Sequence, residues 1–128
     1  MRQLVLLIVS APVGPYSPSR RAGDFVILSG QLGLVPEGPT QLVEGGAPAE
    51  LRQALVNATA LLEAEGAKLS DVVKATVFLP DLADFAACNE VWMEFFDAPR
   101  PTRSTIGVAA LPLGAHAEVE LWAFAPRG

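Results

Sequence analysis

The 128-residue chain is 51% hydrophobic and 18% charged, a length and composition that suit one compact domain over residues 1–128 and argue against two domains or extensive disorder. Nine Lys and Arg against fourteen Asp and Glu give a net charge of -5 at pH 7, which offers nucleic acid no electrostatic attraction. The single cysteine, Cys88, excludes an intrachain disulfide, and no Cys/His cluster has metal-ligand spacing, so a reducing cytoplasm with neither metal nor cofactor is expected.

The apolar run Leu4 to Val9 is too short to span a membrane and reads as a first strand rather than a signal peptide. Gly14, Pro15, Tyr16, Ser17 and Pro18 make a turn, and Phe25 to Ser29 form a strand stopped by Gly30. Residues 33–48 read as loop, with a short strand possible around Thr40 to Val43. A helix follows: Pro48 suits its first turn, Leu51, Leu55, Ala58 and Leu62 repeat at spacings of four and three, and Gly66 suits its C-terminal end. Val72 to Leu79 alternates as a strand, with Val73, Ala75, Val77 and Leu79 on an apolar face and Pro80 as its stop. Asp81 or Asp84 caps a second helix whose stripe is Phe85, Cys88, Trp92 and Phe95. Strands over Thr102 to Val108 and Ala117 to Phe124 flank a turn at Leu111 to Gly114. The expected class is α+β, a mixed sheet with two helices on one face. In the last strand Trp122 and Phe124 share one side and Val119 and Leu121 the other, so the face away from the helices is also apolar and calls for self-association.

Arg103 enters a strand just after Pro101, where a guanidinium can grip a carboxylate bidentately. If that strand pairs with the last one across the Leu111 to Gly114 turn, Glu118 can reach the same pocket and position water; the competing reading is a structural ion pair at a subunit boundary. Tyr16 can wall a pocket or simply pack its turn. Ser29 and Gly30 can offer polar groups to a ligand or merely end a strand, and Asn89 can fasten a loop or touch a ligand. His116 reads as a surface residue and Cys88 as a packed small hydrophobe. Ser17 and Ser29 lack His and Asp partners for a triad, and the glycines fit neither a dinucleotide fingerprint nor a phosphate loop.

In their order along the chain, Gly14-Pro15-Tyr16-Ser17, Ser29-Gly30-Gln31, Asn57, Asp71-Val72-Val73-Lys74, Asp84-Phe85 with Asn89, Arg103, and Leu111-Pro112 followed by Glu118 and Glu120 resemble the RidA/YjgF family of enamine/imine deaminases. The resemblance runs from about residue 12 to residue 125. It implies a chorismate-mutase-like subunit in a homotrimer, with sheets turned inward and clefts between subunits. It also implies hydrolysis of 2-imino acids or their enamines, such as 2-aminoacrylate, to 2-keto acids and ammonia. On this sequence Arg103 looks like the carboxylate-binding arginine and Glu118 like the acid that orients water. Tyr16, Ser29, Gly30 and Asn89 resemble the residues lining the cleft. Pro18, Trp92 and Thr105 depart from the usual Gln, Tyr and Cys, and the loop from Leu34 to Gly46 departs from the usual Asn-Pro and Thr-Gly pattern. Thr105, two residues after Arg103, should point to the same side of the strand and shape the pocket. Three other readings compete: a trimeric binder of small carboxylates without turnover, a pathway-specific deaminase of a larger enamine, and RNA cleavage, for which no basic stripe is present unless Arg20, Arg21 and Arg127 cluster.

Overall fold

The computed structural model describes residues 14–127, so the strand expected over Leu4 to Val9 lies outside the described residues. The elements are β1 (Ser19–Ala22), β2 (Phe25–Leu28), β3 (Gln31–Leu32), α1 (Gly46–Ala64), β4 (Val72–Leu79), α2 (Phe85–Phe95), β5 (Thr102–Gly107) and β6 (Glu118–Phe124). The six strands form one mixed sheet in the order β1-β2-β6-β4-β5, with β3 also paired to β6 beyond the end of β2. β4 and β5 run parallel, and the other pairings are antiparallel. A parallel neighbour requires a crossover, and α2 supplies it.

Both helices lie on one face, as the sequence pattern implies. α1 buries Leu51, Leu55, Ala58 and Leu62 in one core with Val26, Val77, Val119 and Leu121 from the sheet. Burying each large aliphatic side chain stabilises the fold by about 1.5–3 kcal/mol. α1 ends where Gly66 adopts a left-handed φ of 79°, and the Gly66 and Ala67 N–H groups satisfy the Glu63 and Leu62 carbonyls. Among the described residues no helix is long and apolar enough to cross a membrane.

Five expectations are corrected. The strands β5 and β6 do not form a hairpin, because β4 lies between them. Val73 is 44% exposed, because a register shift between Val72 and Lys74 moves Val72 to the buried face. Phe85 is exposed at the start of α2, whose buried positions are Cys88, Val91 and Trp92. The Thr40 to Val43 strand reduces to a single bridge between Leu34 and Leu42, and α1 starts at Gly46, inside the expected loop. β1 and β3 had no sequence signal, being four and two residues long.

Two polar side chains are buried on α1. Asn57 donates to the Leu34 carbonyl at 2.9 Å and the Leu32 carbonyl at 3.4 Å, and accepts from Gln53 at 2.9 Å. Glu50 faces the segment before β6. A Cβ on Gly33 would lie 2.4 Å from the Glu50 carbonyl oxygen, so only glycine lets the chain leave β3 this close to the helix. On the far face Phe25, Trp122, Phe124 and Ile106 remain exposed. Phe25 packs edge-on against Trp122 and Phe124.

Asn57→Ala strands the Leu32 and Leu34 carbonyls and should cost roughly 1–3 kcal/mol, measured by urea denaturation. Truncation of the exposed Val56 to Ala on the same helix should change stability by less than about 0.5 kcal/mol.

Candidate active site

The seven residues singled out in the sequence form two groups. The first is built on β5 and α2. Arg103 pairs in register with Ala75 and Thr105 with Val77, so both side chains stand on the helix-covered face. There the Arg103 Nε–H donates to the Thr105 hydroxyl at 3.0 Å, and Nη2 donates to the Asn89 side-chain carbonyl. The guanidinium carbon lies 5.0 Å from the Trp92 ring centre and 5.6 Å from that of Phe85, stacked by cation–π contact. Of the five guanidinium N–H groups, these bonds use two. Both Nη1 hydrogens and one on Nη2 are left without a partner among the described residues, an edge suited to a carboxylate. Burial lowers Arg103 from its ordinary value, yet a guanidinium keeps its charge at neutral pH.

The second group lies where β2 and β3 meet β6. Ile27 opposes Trp122 and Gln31 opposes Val119, so the β2–β3 edge carries one residue more than β6 does over this stretch. The extra length falls at Ser29 and Gly30. Gly30 sits against Glu118, and a Cβ there would be 2.8 Å from the Glu118 carboxyl carbon. Ser29 donates its hydroxyl to the Ser17 carbonyl at 2.7 Å, and its N–H to the Pro18 carbonyl at 2.9 Å, which fastens the Tyr16 turn to this edge. Tyr16 itself is 45% exposed, its ring folded back over Gly14. Glu118 is half-buried, and its carboxyl is raised above the ordinary range, first by desolvation and then by the neighbouring Glu120.

The two groups do not meet within one chain. Arg103 is registered to Ala75 and Glu118 to Phe78, three residues along β4 and therefore on opposite faces of the sheet. Their Cα atoms are separated by two strand spacings and three residue rises, about 14 Å.

Cys88 is packed beneath Arg103, and its thiol is pushed up to about 11 by burial and by Asp84, against the pull of Arg103. It is therefore protonated at neutral pH and unsuited to nucleophilic attack. Among the described residues no group of three or more His, Cys, Asp or Glu could hold a metal ion. One residue missed in the sequence, Glu50, belongs near the second group, as does Asn57, which the sequence offered only as part of a resemblance. Glu50 is 2% exposed and takes both the backbone N–H and the ring Nδ1 of His116, at 2.7 and 2.5 Å. Its signal was present: Glu50 and Asn57 fall on the same helical stripe as Ala47, Ala54 and Leu61. The expected surface position of His116 holds for the exposed ring, although its partner is buried.

Together these features define an α+β subunit with a mixed six-stranded sheet, two helices on one face and a polar group on each face of the sheet. A family model described as Endoribonuclease L-PSP matches residues 8–125, and the chain belongs to this family, the YjgF/RidA family. A 2-iminobutanoate/2-iminopropanoate deaminase of Dermatophagoides farinae is 47% identical over 109 residues, 85% of this chain and 84% of that protein. The crystal structure of RidA from an Antarctic Psychrobacter bacterium has a TM-score of 0.87 at 43% identity, covering 91% of this chain and 94% of that one. That of Escherichia coli TdcF with bound serine has a TM-score of 0.86 at 35% identity and covers 94% of each chain.

Two measurements follow from these environments. Alkylation of native Cys88 by iodoacetamide at pH 7.5 should be at least about 100-fold slower than that of an unfolded control, as burial and a high thiol value both require. Because the folded state holds the Glu118 proton more tightly than the unfolded state, Glu118 subtracts stability as pH rises above the ordinary carboxylate range. Glu118→Gln should therefore melt at a higher temperature than wild type at pH 7, and the difference should vanish below about pH 4, where the carboxyl is protonated in both states.

Proposed function

We propose that the protein is a hydrolytic deaminase of small 2-imino acids and their enamine tautomers, such as 2-aminoacrylate or 2-iminopropionate, yielding 2-keto acids and ammonia in the cytoplasm. The observation that carries this reading is Arg103, clamped by Thr105 and Asn89 between two rings with its outer N–H groups left for an anion. Similarity to a 2-iminobutanoate/2-iminopropanoate deaminase at 47% identity supports it. Because Arg103 and Glu118 face opposite sides of their own sheet, one chain cannot bring them to one substrate. We therefore place the working site between copies, in a homotrimer of chorismate-mutase-like subunits whose apolar open faces, with Phe25, Trp122 and Phe124, turn inward.

In that site Arg103 of one copy holds the substrate carboxylate, and Glu118 of the next, beside Gly30, Ser29 and Tyr16, holds the water. The Glu118 carboxylate takes a proton from water as the oxygen bonds to the imine carbon. The C=N electrons move to nitrogen, which gains a proton. The resulting carbinolamine releases ammonia as the C–N bond breaks and the carbonyl forms. Imine plus water gives keto acid plus ammonia, with no change of oxidation state, so the reaction itself requires no redox partner. An imine carbon is already electrophilic, and the work of the site is positioning and charge complementarity. The raised carboxyl of Glu118 suits proton transfer in both directions.

A second reading, a binder of small carboxylates without turnover, draws on the serine bound to TdcF. RNA is disfavoured by the net charge of -5. Arg21, which with Arg20 and Arg127 would be needed for a basic patch, spends its guanidinium on the Glu65 and Ala125 carbonyls at 2.8 and 2.9 Å.

Ammonia and keto-acid release should be measured with 2-iminopropionate generated from alanine by an amino-acid oxidase, corrected for spontaneous hydrolysis. Arg103→Ala should lower kcat/KM by about 100-fold or more while the fold is retained. Turnover equal to wild type would overturn the role of Arg103, and binding of 2-ketobutyrate without acceleration would favour the second reading.

A further inference from the structure

Glu50 is the one buried acidic or basic side chain among the described residues, at 2% exposed. A carboxylate so deep needs partners, and both of its oxygens are used by the same residue: Oε1 accepts the His116 backbone N–H at 2.7 Å, and Oε2 meets the His116 Nδ1 at 2.5 Å. The flanking Ala115 and Ala117 are buried while the His116 ring is exposed, so this double bond fixes the backbone of the segment rather than a loose side chain. Two residues later the chain enters β6 at Glu118.

The opposite side of that entry is held by the same helix. Glu118 pairs with Leu32 of β3, whose carbonyl, with that of Leu34, is tied to Asn57 two turns further along the same stripe of α1. Gly33, between them, passes directly over the Glu50 backbone. α1 thus grips β3 through Asn57 and the approach to β6 through Glu50, and Glu118 stands between the two grips.

We infer that Glu50 is a positioning residue for Glu118, acting through His116 to fix where the carboxylate projects from the open face at the start of β6. The inference deepens the proposed reaction and rests on the role given there to Glu118. Arg103, on β5 and the other face, lies outside this chain of contacts, so substrate capture and water positioning are separately controlled.

The experiment compares Glu50→Ala, Glu50→Gln and His116→Ala with wild type, each checked for folding and assembly. Two readouts are taken: kcat and KM for 2-iminopropionate, and the pH titration of the Glu118 side-chain carboxyl by carbon-13 NMR. Gln can still accept from the His116 N–H and donate to Nδ1, and should keep kcat within about threefold of wild type, whereas Ala should lower it about 10-fold with KM little changed. In Glu50→Ala the Glu118 midpoint should fall toward the ordinary carboxylate value as its surroundings loosen, and in Glu50→Gln it should hold. His116→Ala, which removes only an exposed ring, should lie between the two and carries the test if Glu50→Ala does not fold. A folded Glu50→Ala with the wild-type Glu118 titration and kcat overturns the inference. So does a parallel loss in kcat and KM with an unmoved titration. If wild-type protein releases no ammonia, the deaminase reading fails by itself, and the Glu118 titration still decides the positioning role.

Discussion

Alternation along a β-strand governs what this chain can do alone. Successive side chains leave on opposite faces, and the register of β5 and β6 against β4 commits Arg103 to the helix-covered side and Glu118 to the open side. No rotamer change brings the two together through a hydrogen-bonded sheet. Each group is nevertheless finished as a half: the guanidinium has its clamp and its stacking rings, and the carboxyl has its glycine and its raised proton affinity. The open face also leaves Phe25, Trp122 and Phe124 exposed, an apolar patch of the kind that the proposed assembly would cover.

The legible part of the fold was the part with a period. α1 and β4 follow the apolar repeats closely, and Gly66 marks the helix end as its positive φ requires. The bulge at Val72 and Lys74 reversed one side chain of an otherwise regular alternation, which no periodicity reveals, and Phe85 lies on the apolar stripe by spacing but at the exposed first position of its helix. The hairpin across Leu111 to Gly114 failed for a topological reason, since a short turn between two strands does not exclude a third strand inserting between them. Of the site, the residue types were legible and their division between faces was not. The Thr105 expectation rested on strand alternation alone, and its hydroxyl does meet Arg103. Glu50 announced itself only as a polar residue on an apolar stripe, a signal whose meaning depends on what packs opposite, and Asn57 was named by resemblance without its role in holding β3.

Electrostatics divides the molecule along the same line. The Arg103 side combines desolvation with aromatic faces, which favours a planar anion over a hydrated one, and keeps its neighbouring thiol protonated and inert. The Glu118 side places two carboxyls two residues apart on one face of β6, so a proton on Glu118 relieves repulsion from Glu120 as well as desolvation. One face of the sheet thus carries a fixed positive charge and the other a carboxyl of raised proton affinity, with the sheet between them.

The separation of the halves has a genetic consequence. In an assembly whose sites combine Arg103 from one copy with Glu118 from the next, a chain defective in one half still carries the other half intact. Two different inactive alleles expressed together would then rebuild whole sites wherever a sound arginine edge faces a sound carboxylate edge. A single allele, by contrast, would spoil every site in its own homomer. Selection on such a protein acts on pairs of surfaces in neighbouring copies, so drift in the Arg103 half, where Trp92 and Thr105 lie, is tolerated only as far as the opposite edge of the adjoining chain accommodates it.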